Sequence, residues 1–179
     1  DLDLRGQEVQ LLGYQVRQFT LAGNTISGKD TRLSAEDLQI DGQVIDRLSL
    51  DMTGRLDDAR IRVAADADDY SIESAGRLRW LPQQQSYQAD SLQLDAGKLG
   101  VWRLREPASV KLSGSGYSFT PLCLVDSGHG AALCASDGGR NIALQSHDFP
   151  LALVEPFINT AADDFTYQGQ IDITAELPK

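Results

Sequence analysis

The sequence has few of the residue types that most binding and catalytic sites need. It contains two histidines, two cysteines and one methionine among 179 residues. Lysine and arginine total 16, against 26 aspartate and glutamate residues, so the formal net charge is −10. Binding to nucleic acid or to an anionic membrane surface depends on clustered cations. The composition therefore argues against both kinds of partner.

Long apolar runs are also absent. The longest near-apolar stretch, residues 150–158, is interrupted by Glu155 and Pro156, so no segment is long enough to span a bilayer. No signal peptide is recognisable. The chain begins with Asp1 and its one methionine is Met52. We therefore expect residues 1–179 to be a single β-rich segment of a longer protein.

The arrangements that support catalysis or metal binding are missing as well. His129 and His147 are expected in loops, and neither has a second ligand one helical turn away. Asp66, Asp68 and Asp69 do not follow the order of a calcium-binding loop. No phosphate-binding loop and no Gly-x-Ser-x-Gly motif occurs. We predict no enzyme activity, no catalytic residue, no metal and no cofactor.

The sequence does contain a two-residue alternation of apolar and polar side chains. In one example, Leu48, Leu50 and Met52 alternate with polar residues. Each such stretch is typical of a β-strand with one apolar and one solvated face. Turn signals at short intervals, such as 57–58 and 137–139, favour antiparallel hairpins, because parallel crossovers need about a dozen residues or more. The prediction is an all-β fold, a curled antiparallel sheet.

One segment is predicted to be helical. Residues 149–158 carry apolar side chains at helical spacing, Asp148 can cap the start, and Pro150 fits the first turn. Pro156 limits the length, so at most one short helix is expected there. Residues 34–37 are compatible with a turn and equally with a bend before a strand.

The two cysteines leave two interpretations open. In a reducing compartment Cys123 and Cys134 are small core residues, and in an oxidising one they form a disulfide. If residues 127–130 form a four-residue hairpin loop, Asp126 lies opposite Ala131 and the two cysteines lie opposite each other. Directly opposed Cα atoms are about 4.5–5.5 Å apart, which a disulfide tolerates. A bridge would indicate a periplasmic or extracellular protein.

The apolar side of the predicted strands has two possible roles. With so little helix to cover it, the sheet must fold onto itself. If the sheet closes and fills, this side is an ordinary core, whereas an open curl makes a trough that can hold hydrocarbon. The residues predicted to line such a groove are Leu48, Leu50, Met52, Ile61, Val63, Ile72, Leu78, Trp80, Leu92, Leu94, Val110, Leu112, Phe119, Leu122, Leu124, Ile171 and Ile173.

From Trp102 onward, several short segments follow one another in a specific order. They are 102–107 (WRLREP), 116–119 (GYSF), 122–124 (LCL), a second cysteine at 134, 149–153 (FPLAL) and 167–172 (YQGQID). This order resembles the TamB family of the translocation and assembly module of Gram-negative bacteria. The resemblance is clearest over residues 100–175, and upstream of them only the strand pattern agrees.

The resemblance implies a fold and a location. Members of the family are long periplasmic bridges, anchored in the inner membrane. Their amphipathic β-strands curl into a taco-shaped open groove with a hydrophobic lumen. We therefore expect this chain to be a periplasmic segment of a protein that is anchored in the inner membrane when complete.

The resemblance also implies a function and partners. It indicates a segment that carries phospholipid between the inner and outer membranes, with the acyl chains held along the hydrophobic groove. The family works with TamA, an outer-membrane barrel of the Omp85 type, which we expect to be contacted through other parts of the full-length chain. The alternative is a chaperone-like module that acts with TamA to insert outer-membrane or autotransporter proteins.

Overall fold

The computed structural model describes residues 2–11, 14–23, 30–40, 43–114, 116–151 and 169–178. Within these ranges the chain forms one antiparallel sheet of 14 strands and a short 3-10 turn at Gly97–Leu99. The strands are β1 (Leu2–Leu11), β2 (Tyr14–Gly23), β3 (Thr31–Ile40), β4 (Gln43–Arg55), β5 (Asp58–Ala67), β6 (Tyr70–Leu81), β7 (Gln84–Asp95), β8 (Val101–Leu104), β9 (Ala108–Ser113), β10 (Gly116–Phe119), β11 (Leu122–Asp126), β12 (Ala132–Asp137), β13 (Asn141–Pro150) and β14 (Gln170–Pro178). The predicted all-β fold is confirmed.

The strands form a path with one branch. From β1 to β8 each strand pairs with the next, and the path continues through β11, β12, β13 and β14. The branch lies at β7, whose residues 93–95 pair with β8 while residues 84–89 pair with β9, which in turn pairs with β10. The path ends at β1 and β14, which do not pair with each other, so the described sheet is open.

The register of the sheet collects the apolar side chains on one side. Residues directly opposed in antiparallel strands point to the same side of a sheet. One such row crosses β4 to β8 through Leu48, Ala65, Ile72, Leu94 and Trp102. We call the side that carries this row the apolar face, and the opposite side the polar face.

The sheet curls toward its apolar face near Trp102. This residue lies on β8 and Phe149 lies on β13, with β11 and β12 between the two strands. In a flat sheet, backbones three strands apart are about 14 Å from each other. The two rings nevertheless stack, with centroids 5.9 Å apart. Because side chains stand roughly perpendicular to a sheet, this contact requires a curled sheet.

Strand β13 departs from two of the predictions. It extends to Pro150, so the first two residues of the helix predicted over 149–158 are strand, while residues 152–158 lie outside the described part of the chain. Phe149 pairs with Ile171 of β14, and this pairing together with the Trp102 contact outweighs the local helical pattern. His147 also lies in β13, so its prediction as a loop residue was wrong.

The predicted helix cap at Asp148 and the turn considered for residues 34–37 are also strand in the structure. Asp148 does not cap a helix, since it lies within β13 with a φ of 51° and its backbone N–H donates to the Asp172 carboxylate at 2.9 Å. Residues 34–37 belong to β3, where strand pairing on both sides makes a turn impossible.

The β11–β12 hairpin confirms the cysteine pairing. The Asp126 backbone N–H donates to Ala131 O at 2.8 Å, which closes the predicted four-residue loop. Cys123 lies directly opposite Cys134, their Cα atoms are 4.1 Å apart, and the two form a disulfide. Because Leu122 and the other even-numbered residues of β11 lie on the apolar face, the bridge lies on the polar face. Its role is therefore to hold the hairpin together.

Removing this bridge should lower stability without changing the fold. The disulfide closes a loop with a sequence separation of 11 residues, so Cys123→Ser with Cys134→Ser should reduce the free energy of unfolding by about 2–3 kcal/mol. Denaturant unfolding of the oxidised protein and of the double variant measures the difference, and a free-thiol assay reports the oxidation state. Two free thiols in periplasmically expressed protein, or equal stabilities, would contradict this role.

Candidate functional site: the apolar face

All seventeen predicted lining residues lie on the apolar face. The register places them on eight strands, β4 to β7, β9 to β11 and β14. For example, Leu50 pairs with Val63, and Val110 of the branch pairs with Phe119. The sheet therefore brings these residues together as one surface. Whether they contact lipid remains a prediction.

The described part of the protein leaves this surface largely uncovered. Ile72 is 40% exposed, and Trp80, Leu112 and Ile173 each expose more than half of their surface. Of the nine buried hydrophobic residues in the described ranges, seven are alanines, and the others are Met52 and Trp102. A filled core would bury large aliphatic and aromatic side chains. Within the described ranges the apolar face is therefore open and is not filled like an ordinary core.

An apolar hollow lies over β11 to β14. Its volume is about 370 Å³, which is within the range of small-molecule sites. Most of its wall is aliphatic and includes Leu122, Leu124, Leu133, Leu144 and Ile173. Such a wall can bind hydrocarbon through apolar contact but offers almost no polar group to orient a ligand.

One end of the apolar face is filled by side chains. Trp102 and Ala131 are buried there, and Leu99 and Phe149 pack against them. The Trp102 indole N–H donates to Leu99 O at 2.8 Å, so the polar atom of the ring is satisfied. This cluster lies where β7 and β11 end and β8 begins. Its side chains fill the apolar face at these strand ends.

Asp126 stabilises the loop beside this cluster. Its side chain is fully buried, and its carboxylate accepts hydrogen bonds from the Gly128 N–H at 3.2 Å, the His129 N–H at 2.7 Å and His129 Nδ1 at 2.6 Å. Burial raises the pKa of Asp126, but these hydrogen bonds outweigh burial and hold the pKa below its ordinary value. The contacts of this carboxylate assign it a structural role.

The position of the Asp126 carboxylate also explains why residue 100 is a glycine. A Cβ at Gly100 would lie 2.6 Å from Asp126 Oδ1, and Gly100 has a φ of 88°. Both the close approach and the left-handed backbone require glycine at this position. The buried acid and the turn before β8 therefore depend on each other.

The apolar face also contains residues that the sequence did not place there. Register pairs Leu21 with Leu33 and Leu33 with Leu50, which extends the face across β2 and β3. Leu133 and Leu144, on β12 and β13, line the hollow directly. The alternation of leucine with polar residues in these strands was the available signal, but each run is short.

The apolar residues of β1 to β4 were not recognised in the sequence because the two-residue alternation changes phase within these strands. The register of these strands skips one position in each, and the skipped residues are Glu8, Arg17, Asp37 and Asp46, which form a row between paired residues. Glu8 and Asp37 have φ angles of 49°, and Arg17 Nε lies 2.8 Å from the Asp37 carboxylate. In β3 the apolar residues occupy odd positions before this row and even positions after it. A strict two-residue rule therefore fails in these strands.

The comparison with known families decides the assignment. The family model for the N-terminal domain of TamB matches residues 1–178. The chain belongs to the TamB family. The match extends upstream of residues 100–175 and includes the strands in which the sequence showed only a pattern. TamB proteins are periplasmic cell-envelope proteins that act with TamA-type partners.

Other comparisons add no relative to this assignment. Searches of curated proteins and of solved structures return no match to this TamB chain.

Within the described ranges, no helix combines the length and the apolar character needed to cross a membrane.

The buried carboxylate predicts a pH effect. Because the folded pKa of Asp126 lies below the ordinary value of about 3.9, its contribution is complete above that pH and is lost as the pH falls through the folded pKa. Asp126→Asn turns an amide N–H₂ toward N–H donors, so it should cost about 1–3 kcal/mol at neutral pH. It should also flatten the loss of stability below about pH 4.

Chemical denaturation across the acidic range measures this effect. The exposed Asp66→Asn is a matched control with the same change in charge, and its curve should follow that of the unmodified protein. An Asp126→Asn curve that runs parallel to the unmodified protein at every pH would contradict the assigned role.

Proposed function

We propose that this TamB segment carries phospholipid between the inner and outer membranes, with the acyl chains lying along the apolar face. The observation that carries the proposal is the open apolar surface, which extends across most of the sheet with large side chains half exposed. The head group remains in solvent at the open side. No covalent chemistry is involved, so the segment is not an enzyme.

The energetics suit transfer better than storage. Moving one CH₂ from water to an apolar surface is favourable by about 0.8 kcal/mol of free energy. An acyl chain therefore prefers the apolar face to water. Neighbouring strands present similar aliphatic side chains, such as Leu50, Val63 and Leu92. A chain that slides from one strand to the next therefore exchanges one apolar contact for an equivalent one. The groove has few polar groups that could trap the lipid at one point.

The location is part of the same proposal. The disulfide between Cys123 and Cys134 is compatible with an oxidising compartment such as the periplasm. We further propose that the full-length protein is anchored in the inner membrane and reaches TamA through other parts of its chain. The net charge of −10 and the polar face would keep the segment soluble between the membranes.

Site-specific photo-crosslinking in cells tests the lipid path. A photoreactive amino acid at Leu50 or Leu94 should yield phospholipid adducts, because both side chains lie on the open face. Ser49 and Gln93 are matched controls, since each is the adjacent residue and points to the polar face. Mass spectrometry of the adducts identifies the lipid. Equal labelling at both members of a pair, or no lipid adduct at either leucine, would refute the path.

A charge on the groove wall should block transfer without unfolding the protein. Leu112 is 51% exposed, so Leu112→Asp should change the free energy of unfolding by no more than about 0.5 kcal/mol. It should still abolish phospholipid transfer, because a carboxylate interrupts the apolar surface. Leu112→Ala is the control and should transfer normally. Normal transfer by the folded Leu112→Asp protein would contradict the proposal.

A second candidate function is a chaperone-like role in the insertion of outer-membrane or autotransporter proteins with TamA. It is favoured by the strand edges, since within the described sheet β1 pairs only with β2, and β14 only with β13. Unpaired edges can template an incoming strand. Stabilisation by amphipathic β-hairpin peptides, without stabilisation by fatty acids, would favour this role over lipid transfer.

A further inference from the structure

The polar face carries an ordered grid of donors where β6, β7 and β9 lie side by side. Two adjacent rows of directly opposed residues cross these strands. Together they surround a surface cleft of about 280 Å³, to which Tyr87 also contributes. The first row contains Arg77, Gln88 and Ser109, and the second contains Arg79, Ser86 and Lys111.

The charge of this cleft is opposite to that of the whole chain. Three of its lining residues are cations, and none of the described lining residues is acidic. Asp90 Oδ1 accepts a hydrogen bond from Gln88 Nε2 at 3.2 Å. Asp58 Oδ1 lies 3.6 Å from Arg77 Nε and 3.7 Å from Arg79 Nε. Both distances exceed the 2.7–2.9 Å or so of a direct charge-assisted hydrogen bond. Asp58 therefore compensates the cations only in part.

A neighbouring pair of cations also favours a bound anion at this cleft. Arg60 lies directly opposite Arg77 on the polar face. Like charges in directly opposed positions are destabilising in a sheet, and this pair of cations occurs in a protein with a net charge of −10. An anion bound beside Arg77 would relieve this repulsion.

We propose that this cleft binds the phosphate group of a small organic phosphate. Arginine presents a planar fork of donors that matches phosphate oxygens, and lysine adds a compact positive charge. The hydroxyl groups of Ser86 and Ser109 supply neutral donors around the same position, and the Gln88 amide, which already donates one N–H to Asp90, has a second. The site lies on the opposite side of the sheet from the lipid groove, so it does not depend on the proposed transfer function.

The area covered by the two rows fits a single phosphate group and is too small for a nucleic acid. Two strand spacings and two residues along a strand give an area of about 10 by 7 Å. This area accommodates a single phosphate group with a small substituent. A nucleic acid would need many more cations along its backbone, whereas the chain as a whole has a net charge of −10.

Titration of the isotopically labelled protein tests the site. Inorganic phosphate and glycerol 3-phosphate should each cause saturable changes in the amide NMR signals of β6, β7 and β9 at constant ionic strength. The double variant Arg79→Gln, Lys111→Gln should weaken both affinities by at least about tenfold, because two charged donors are lost. Arg140→Gln is the control, an exposed cation in the turn before β13, and it should bind as the unmodified protein does.

Each outcome bears on the proposal. Equal affinities for the two anions would assign the site to the phosphate group alone, and tighter binding of glycerol 3-phosphate would assign it to a phospholipid-type head group. No saturable change with either anion, or unchanged binding by the double variant, would overturn the proposal. Binding only to phosphatidylglycerol vesicles would overturn it as well, since it would show a diffuse attraction to a charged surface and not a site.

Discussion

The structure depends on the strand register, because the register decides which side of the sheet each side chain occupies. A slip of one residue would turn every leucine of a strand to the polar side. In β7 the apolar residues change from odd to even positions near Asp90, and a bulge there shifts the pairing by one residue. A second register shift, between residues 146 and 149 of β13, brings Phe149 to the apolar face. The irregularities therefore keep the apolar face continuous.

In the part of the chain that the structure describes, the apolar face has no cover, which is unusual because burial is the main source of stability in folded proteins. Here the large buried side chains are few, and Trp102 at the filled end is the principal one. The sheet must rely heavily on backbone pairing between long strands and on the disulfide of the β11–β12 hairpin. The exposed apolar area is then available for a ligand, which is how the fold connects to the proposed transfer of lipid.

Sequence reasoning recovered the features that depend on local patterns. Two-residue alternation predicted the all-β fold and placed the seventeen residues named for the groove on one side of the sheet, and turn chemistry predicted the hairpin that joins Cys123 to Cys134. It failed where tertiary pairing or irregular backbone decides, as for residues 149 and 150, which were predicted to begin a helix, and for the apolar residues of β2 and β3. It also missed the cationic cleft, because net charge averages over the chain and the pairing of β7 with β9 cannot be read from sequence.

The most direct test of the open apolar face is a crystal structure of the protein with a bound phospholipid. The account predicts electron density for an acyl chain on the side of the sheet that carries Leu50, Leu94 and Leu124, with the head group toward solvent. A structure in which protein side chains or chain segments fill that side completely, and lipid is found elsewhere or not at all, would contradict it.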